Sequence, residues 1–395
     1  MGKDNNILTV NAGSSSVKLI SFSGDLKQQV FRAEVTDIGQ PNCTLKISLP
    51  NLEVQTYAVQ AHNQAEATQA ILDQLNEKFT RPSAIGHRLV HGGPNFNHPI
   101  LITEQVIEIL SEAIIFDPEH MPAEIELIRM FSQLFGDTPQ VACFDTAFSQ
   151  DMPAIAKLLP LPRKFSELGL RRYGFHGLSY EYLLTKFQEM AGELAKNGRV
   201  IMAHLGSGAS LTALKGGKPL DTSMSFTPAS GVLMSTRSGD LDPGIFAFLH
   251  QKLGMTAEEF NHIIYFESGL TGISGYSGDM ELLIKESVNN PKAAEAVDLF
   301  CYQVRKTIGS FSAVLGGVDS LIFSGGIGQN SPVIREKICQ GLEYLGITLD
   351  KSRNMNQEFL ISGGDSRTGV HVIPTDEAVV IADQTLQTIT KEGGY

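Results

Sequence analysis

The chain has 395 residues and a formal net charge of −12, with 42% hydrophobic and 19% charged residues. That is enough length for two domains with separate cores, and the acidic balance argues against a general nucleic-acid or membrane-surface binder. No apolar run reaches the roughly 18 residues of a membrane span, the polar start MGKDNN lacks the apolar core of a secretory leader, and Cys43, Cys143, Cys301 and Cys339 form no CxxC pair, so reduced, mostly buried thiols in a cytoplasmic protein are expected.

The first fifty residues read as short strands at Ile7–Val10, Val17–Phe22, Gln29–Val35 and Thr44–Leu49. The first two flank NAGSSS, where a simple turn would need only two residues. Helical spacing follows in AEATQAILDQLNEKF and EQVIEILSEAI, and VACFDTAF reads as a strand before the Pro-rich MPAIAKLLPLPRKF, taken as the crossing into a second domain. From Arg199 the opening pattern returns: VIMAHLGSGASLTAL repeats strand, Gly/Ser turn, strand, with Gly206 and Ser207 where Gly13 and Ser14 stood. VDSLIFSGGIGQNSPVIREKI then reads as strand, Gly-Gly turn and helix. GVHVIPTDEAVVIADQTLQTI reads as strand and helix, with Thr375 or Asp376 as N-cap. Strands alternating with helices indicate an α/β protein, and the leading hairpins make its sheets mixed. Neither GxGxxG with a following acid nor GxxxxGK[ST] occurs at a strand end, which argues against a Rossmann site and a P-loop.

Several segments carry chemistry. NAGSSSVK and HLGSGAS offer successive backbone N–H groups and hydroxyls, and glycine lets the backbone approach an anion closely. In HRLVHGG, strand alternation would point Arg88 and Val90 the same way, giving a guanidinium fork beside an apolar wall, as a small carboxylate with a hydrocarbon tail requires. Asp145 interrupts the apolar FDTAF, where an unpaired carboxylate would be costly. His176 stands in a Gly-x-His-Gly turn before a helix, placed to donate to an anion. TRSGDLDPG brings Arg237 together with Ser238, Gly239 and two aspartates, with Asp242 as helix cap and Pro243 as the first helical residue.

Together these stretches resemble the acetate kinase family, the short-chain acyl phosphate kinases. VNAGSSSVK, HRLVHGG, FDTAF, YGFHGLS, HLGSGASL, DTSMSFTP, TRSGDLDPG, SGLTGISG, SGGIGQN and PTDEAVVIA occur in the family's order over nearly the whole chain. The resemblance implies two duplicated ribonuclease H-like domains of the actin/Hsp70 type, with mixed sheets flanked by helices and the active site in the interdomain cleft. It places the first domain at 1–148, with a terminal helix 382–395 packing back on it, and the second at 149–381. It implies ATP/ADP and Mg²⁺ (or Mn²⁺) as cofactors, a small carboxylate as substrate, and a cytoplasmic homodimer with no nucleic-acid or membrane partner.

Residue by residue, the resemblance implies Arg88 and Arg237 as carboxylate and phosphoryl clamps, Asp145 as an essential acid and His176 as donor to the transferring group. Asn11, Ser14 and Lys18 would meet the nucleotide phosphates, with Asn11 and Glu377 organising the metal. His204, Gly206, Ser207 and Gly208 would line a second phosphate loop, while Asp279, Gly325, Gly326, Ile327 and Asn330 border the nucleoside. Val90, His120, Phe175 and Pro228 would form the acyl site. The chain departs from the family at Glu119 and Met121, where leucine and asparagine are usual, and at Ser207, Glu281, Ser149 and Tyr180, where asparagine, arginine and two histidines are common. Reaction type is therefore better specified than acid or phosphoryl donor. Propionate is the nearest alternative to acetate, because apolar pockets discriminate weakly against one methylene. A sugar kinase of the same fold would need an acidic base beside a hydroxyl, and a non-catalytic nucleotide-binding module would not need Arg88, His176 and Arg237 together.

Overall fold

The computed structural model describes residues 6–392 except Ser14. Ser14, expected in the first phosphate loop, and residues 393–395 of the expected terminal helix lie outside the described residues. The chain divides into two compact units, Met1–Ala147 with Asp376–Tyr395, and Phe148–Thr375. The second division falls between Thr375 and Asp376, ahead of the expected 382.

In the first unit the strands are β1 (Asn6–Ala12), β2 (Ser16–Ser23), β3 (Gln29–Thr36), β4 (Thr44–Ser48), β5 (Gln55–Ala58), β6 (Ala84–Leu89), β7 (Ile100–Leu101) and β8 (Gln140–Phe144). They form a sheet of order β5-β4-β3-β2-β1-β6-β8-β7, in which β1 pairs antiparallel with β2 and parallel with β6. The alternation of β3 turns Phe31, Ala33 and Val35 inward against Leu8, Val10 and Leu19. Helices Gln64–Leu75 and Met121–Phe135 cover that face with Ile71, Leu75, Leu127 and Phe131. The helix Glu377–Glu392 packs Ala378 and Ala382 against Ile7, Ile20 and Phe22 on the other face. At Gly86 on β6 an added Cβ would lie 2.2 Å from the Thr385 side chain, so glycine lets this helix seat closely.

The second unit contains β9 (Arg199–Leu205), β10 (Ala209–Lys215), β11 (Lys218–Thr222), β12 (Ser320–Ser324) and β13 (Gly369–Val372), ordered β11-β10-β9-β12-β13. Here β9 pairs antiparallel with β10 and parallel with β12. The arrangement repeats β3-β2-β1-β6-β8, so the similarity between the two opening hairpins reflects equivalent places in two sheets.

Three elements differ from expectation. The strand read through FDTAF ends at Phe144, which leaves Asp145 just beyond it. β6 ends at Leu89, so the alternation relating Arg88 to Val90 stops short of Val90. The helix after TRSGDLDPG begins at Gly244, one residue late, with the Asp242 carboxylate accepting from the Gly244 N–H at 2.7 Å. All four cysteines are buried and none is joined in a disulfide. Among the described residues, no helix is long and apolar enough to cross a membrane.

Candidate active site

In the first unit, three strand ends gather a charged cluster. Arg88, near the end of β6, donates to Asp145 Oδ2 from Nη2 at 2.6 Å and from Nε at 3.2 Å. Its Nη1 donates to the Ala12 carbonyl at 3.1 Å, which ties the guanidinium to the end of β1. The Asp145 side chain is 1% exposed and that of Arg88 14%. Burial lifts the Asp145 carboxyl above the usual carboxylate range; Arg88 opposes that shift and Glu377 adds to it. Burial works against the Arg88 charge, but Asp145, Glu377 and Glu124 outweigh it and raise its pKa. The second carboxylate oxygen of Asp145, Oδ1, is buried and has no hydrogen-bond partner among the described residues. Beside this pair, Asn11 Nδ2 donates to Glu377 Oε2 at 2.9 Å and fixes that carboxylate.

Lys18 is the register partner of Asn11, and its ammonium is held 3.1 Å from Glu34. His120 pairs with fully buried Asp117 at 3.0 Å. Val90 donates its N–H to both oxygens of Glu124, at 3.2 and 3.1 Å. Glu124 was not anticipated from sequence. Burial pushes its carboxyl up to about 8, with Arg88 opposing and Asp117 and Asp145 reinforcing the shift, so it is protonated at neutral pH. A signal was available: Glu124 falls on the stripe Met121, Ile125, Ile128 of an apolar helix face. Glu119, the unexpected charge, is half-buried rather than turned fully outward, and Met121 is buried.

In the second unit, the Gly206–Gly208 turn joins β9 to β10. A Cβ added at Gly208 would lie 3.1 Å from His176 Nε2 and 3.5 Å from Arg237 Nη2, so both donors converge on a place kept open by glycine. His176 occupies the N-cap of the helix Gly177–Ala191 with φ 60°, a left-handed conformation unusual for a non-glycine residue and common at functional sites. Arg237 is steadied by donating from Nη1 to the Pro228 carbonyl at 3.0 Å. The His176 and His204 rings stack with centroids 4.3 Å apart. Phe175 is 1% exposed.

Beyond the glycine turn opens a cavity of about 790 Å³ lined by Gly206, Ser207, Asp279, Glu281, Gly326, Ile327 and Asn330 among others. Its size suits a small-molecule ligand. Asp279 caps the helix Met280–Glu286, accepting from the Glu281 and Leu282 N–H groups at 2.8 and 3.1 Å. That explains its presence at the rim without any ligand. Gly325, with φ 75°, starts the short helix Gly325–Asn330 directly after β12, so the expected Gly-Gly turn is already helical. An added Cβ there would lie 2.6 Å from the Leu205 carbonyl.

Among the described residues, no group of three or more His, Cys, Asp or Glu side chains could by itself hold a metal ion. Mg²⁺ at phosphate-transfer sites usually keeps several waters and takes one or two carboxylates plus substrate phosphates. Glu377, fixed by Asn11, beside the bare oxygen of Asp145, fits that mode of binding.

The model of the acetokinase family matches residues 6–383. The chain is 40% identical to an acetate kinase of Carboxydothermus hydrogenoformans, over 98% of this chain and all of that protein. It is 43% identical to an acetate kinase of Nitrobacter hamburgensis, over 96% of this chain and 95% of that one. Among solved structures, it is similar to a propionate kinase from Francisella tularensis, with TM-score 0.90 and 34% identity over 97% of this chain and 99% of that one. It is also similar to the Porphyromonas gingivalis acetate kinase, with TM-score 0.86 and 36% identity over 98% of this chain and all of that one.

Proposed function

We propose how this chain, which belongs to the acetokinase family and is a kinase with a carboxylate acceptor, moves a phosphoryl group reversibly between ATP and acetate. The convergence of His176 and Arg237 on the Cβ-free space at Gly208 is the observation that carries the reading. Donors aimed at a place only glycine leaves open suit the equatorial oxygens of a phosphoryl group in transfer. A carboxylate is ionised at neutral pH, so the nucleophile needs no general base. Its difficulty is repulsion from the triphosphate, which Arg88 offsets by binding the carboxylate while Asp145 and the Ala12 carbonyl hold the guanidinium in place. Arg237 and His176 Nε2 take the charge that develops on the phosphoryl oxygens. Turnover depends on both sets of groups.

Asn11 and Glu377, with Asp145 beside them, are the residues that would hold Mg²⁺, which when bound neutralises phosphate charge. Gly206, Ser207, Gly326, Ile327 and Asn330 would take the nucleotide, and Val90, His120, Phe175 and Pro228 the acyl group. Lys18 is committed to Glu34 and Asp279 to its helix cap, so we assign them supporting rather than direct contacts. We take the protein to work as a cytoplasmic homodimer. Ile245, Phe248 and Leu253, exposed on the helix Gly244–Leu253, supply an apolar face for a second copy.

The test is acyl phosphate formation, trapped as hydroxamate, from ATP with acetate, propionate, butyrate and a sugar offered in turn. We expect product with acetate, propionate following at lower kcat/KM, and none with the sugar. Absence of product with every acid would overturn the reading.

A further inference from the structure

The helix Gly177–Ala191 and the β9–β10 hairpin bury a short chain of hydroxyls behind His176. His176 Nδ1 lies 2.8 Å from Ser210 Oγ, and Ser210 Oγ makes a short contact with the Tyr180 hydroxyl. Ser210 and Tyr180 are both fully buried. Among the described residues, Ser210 Oγ is the side-chain acceptor within reach of the Tyr180 hydroxyl hydrogen. Burial raises the Tyr180 pKa, so the phenol stays protonated at every working pH.

One direction of donation leaves no hydrogen stranded. Tyr180 donates to Ser210, and Ser210 donates to His176 Nδ1. If Ser210 donated to Tyr180 instead, the phenol hydrogen would have no acceptor in a buried place. If His176 Nδ1 carried a hydrogen, the Ser210 hydrogen would be left over. A buried donor left unsatisfied loses its hydration with nothing in return, which is enough to fix the direction. With Nδ1 an acceptor, the ring hydrogen sits on Nε2, the nitrogen that faces Gly208.

His204, stacked on His176, is held in the opposite sense. Ser179 donates its hydrogen to Thr375 Oγ1 at 2.9 Å, so His204 Nδ1, 2.8 Å from Ser179 Oγ, must be the donor in that contact. We propose that Tyr180 and Ser210 are positioning residues that lock His176 as the Nε2–H tautomer, opposite to that of the stacked His204. It follows that His176 always has a hydrogen to offer the phosphoryl group, and that the Ser210 hydroxyl, which Tyr180 keeps from donating elsewhere, is what holds it there. The inference rests on the role given above to His176.

The direct test is nitrogen NMR of the ligand-free protein labelled with ¹⁵N-histidine, His176 being assigned by loss of its signal in His176→Gln. We expect a bare Nδ1 and a protonated Nε2 for His176, and the reverse for His204. Ser210→Ala should convert His176 to a mixture of tautomers, whereas Tyr180→Phe leaves Nδ1 as the acceptor for the Ser210 hydrogen and should keep the Nε2–H form. In Ser210→Ala, kcat should fall about tenfold, a part of the 10²–10³ that loss of such a donor costs, with KM for acid and ATP unchanged. Ser210→Thr returns the hydroxyl and should restore both signature and rate. A protonated Nδ1 on His176 in the parent protein, or an unaltered Nε2–H signature in Ser210→Ala, overturns the inference. Full turnover in His176→Gln would instead overturn the catalytic role while leaving the tautomer standing.

Discussion

Replacing Arg88 by alanine removes a guanidinium that makes three hydrogen bonds and leaves Asp145, 1% exposed, without its counter-charge. Stripping one partner from a buried pair costs about 3–5 kcal/mol, and burial, no longer opposed by Arg88, pushes the Asp145 carboxyl up further. The variant therefore loses the substrate clamp and an ionised Asp145 at neutral pH together. Loss of arginine stabilisation in phosphoryl transfer is worth roughly 10³–10⁵ in rate, so kcat/KM for acetate should fall by at least a thousandfold. Arg88→Lys keeps the charge but not the fork and should fall between. The two contributions separate in a double-mutant cycle. Because most of the stability cost is the orphaned carboxylate, Asp145→Leu placed in the Arg88→Met background should recover most of it, giving a coupling energy of about 2–3 kcal/mol, while activity stays lost. Thermal unfolding and hydroxamate formation measured on the same four proteins test this. Additive destabilisation, or Arg88→Ala with parental turnover, would refute the argument that the pair is one unit with a catalytic task.

Glu124 is protonated when folded and ionised when unfolded between pH 4.5 and about 8. Stability from this group is complete below 4.5 and lost as pH rises through 8, by up to ~5 kcal/mol. Glu124→Gln keeps an acceptor for the Val90 N–H, so its melting temperature relative to the parent should climb from pH 5 to pH 8; a constant difference would count against the assignment. His371 is buried between Phe187 and Phe359 with neither ring nitrogen partnered among the described residues, and burial depresses it to about 4. The unfolded chain takes up a proton below about 6.5 that the folded chain refuses, so acid should destabilise the parent by up to ~3 kcal/mol as pH falls towards 4. His371→Leu should flatten that loss, and identical acid melting curves would reject it. Gly208→Ala puts a methyl 3.1 Å from His176 Nε2; kcat should drop tenfold or more with little change in melting temperature, and parental kcat would remove His176 from that space.

The sheet architecture was legible because it is written locally. Alternation fixed the strands from Ile7 to Val35, and the recurrence of strand, Gly/Ser turn and strand at Val200 matched the equivalent places of β1–β2 and β9–β10 in two sheets. Arg88 was visible as a charge in an apolar strand and Asp145 as one just past the end of another, and their pairing follows from the adjacency of β6 and β8. What sequence did not disclose depends on partners far along the chain. Glu124 looks like either of two acids on an amphipathic helix until its contact with Val90, 34 residues away, shows it facing inward. Ser210 is an ordinary strand serine until the hairpin and the helix after His176 bring it between Tyr180 and His176. Lys18 and Asp279 were singled out by their motifs, yet each has a local partner that explains its place: Glu34 across the strand pair and the helix N-terminus at Met280.

The most direct measurement follows the oxygen atoms. With acetate labelled by ¹⁸O in both positions and unlabelled ATP, attack of the carboxylate on the γ-phosphorus places one ¹⁸O in the P–O–C bridge of acetyl phosphate and one in its carbonyl. The bridging label should shift the phosphorus resonance of the product, and ADP should remain unlabelled. Acetyl phosphate whose bridging oxygen is unlabelled, or no acyl phosphate at all, would contradict direct transfer to the carboxylate held by Arg88.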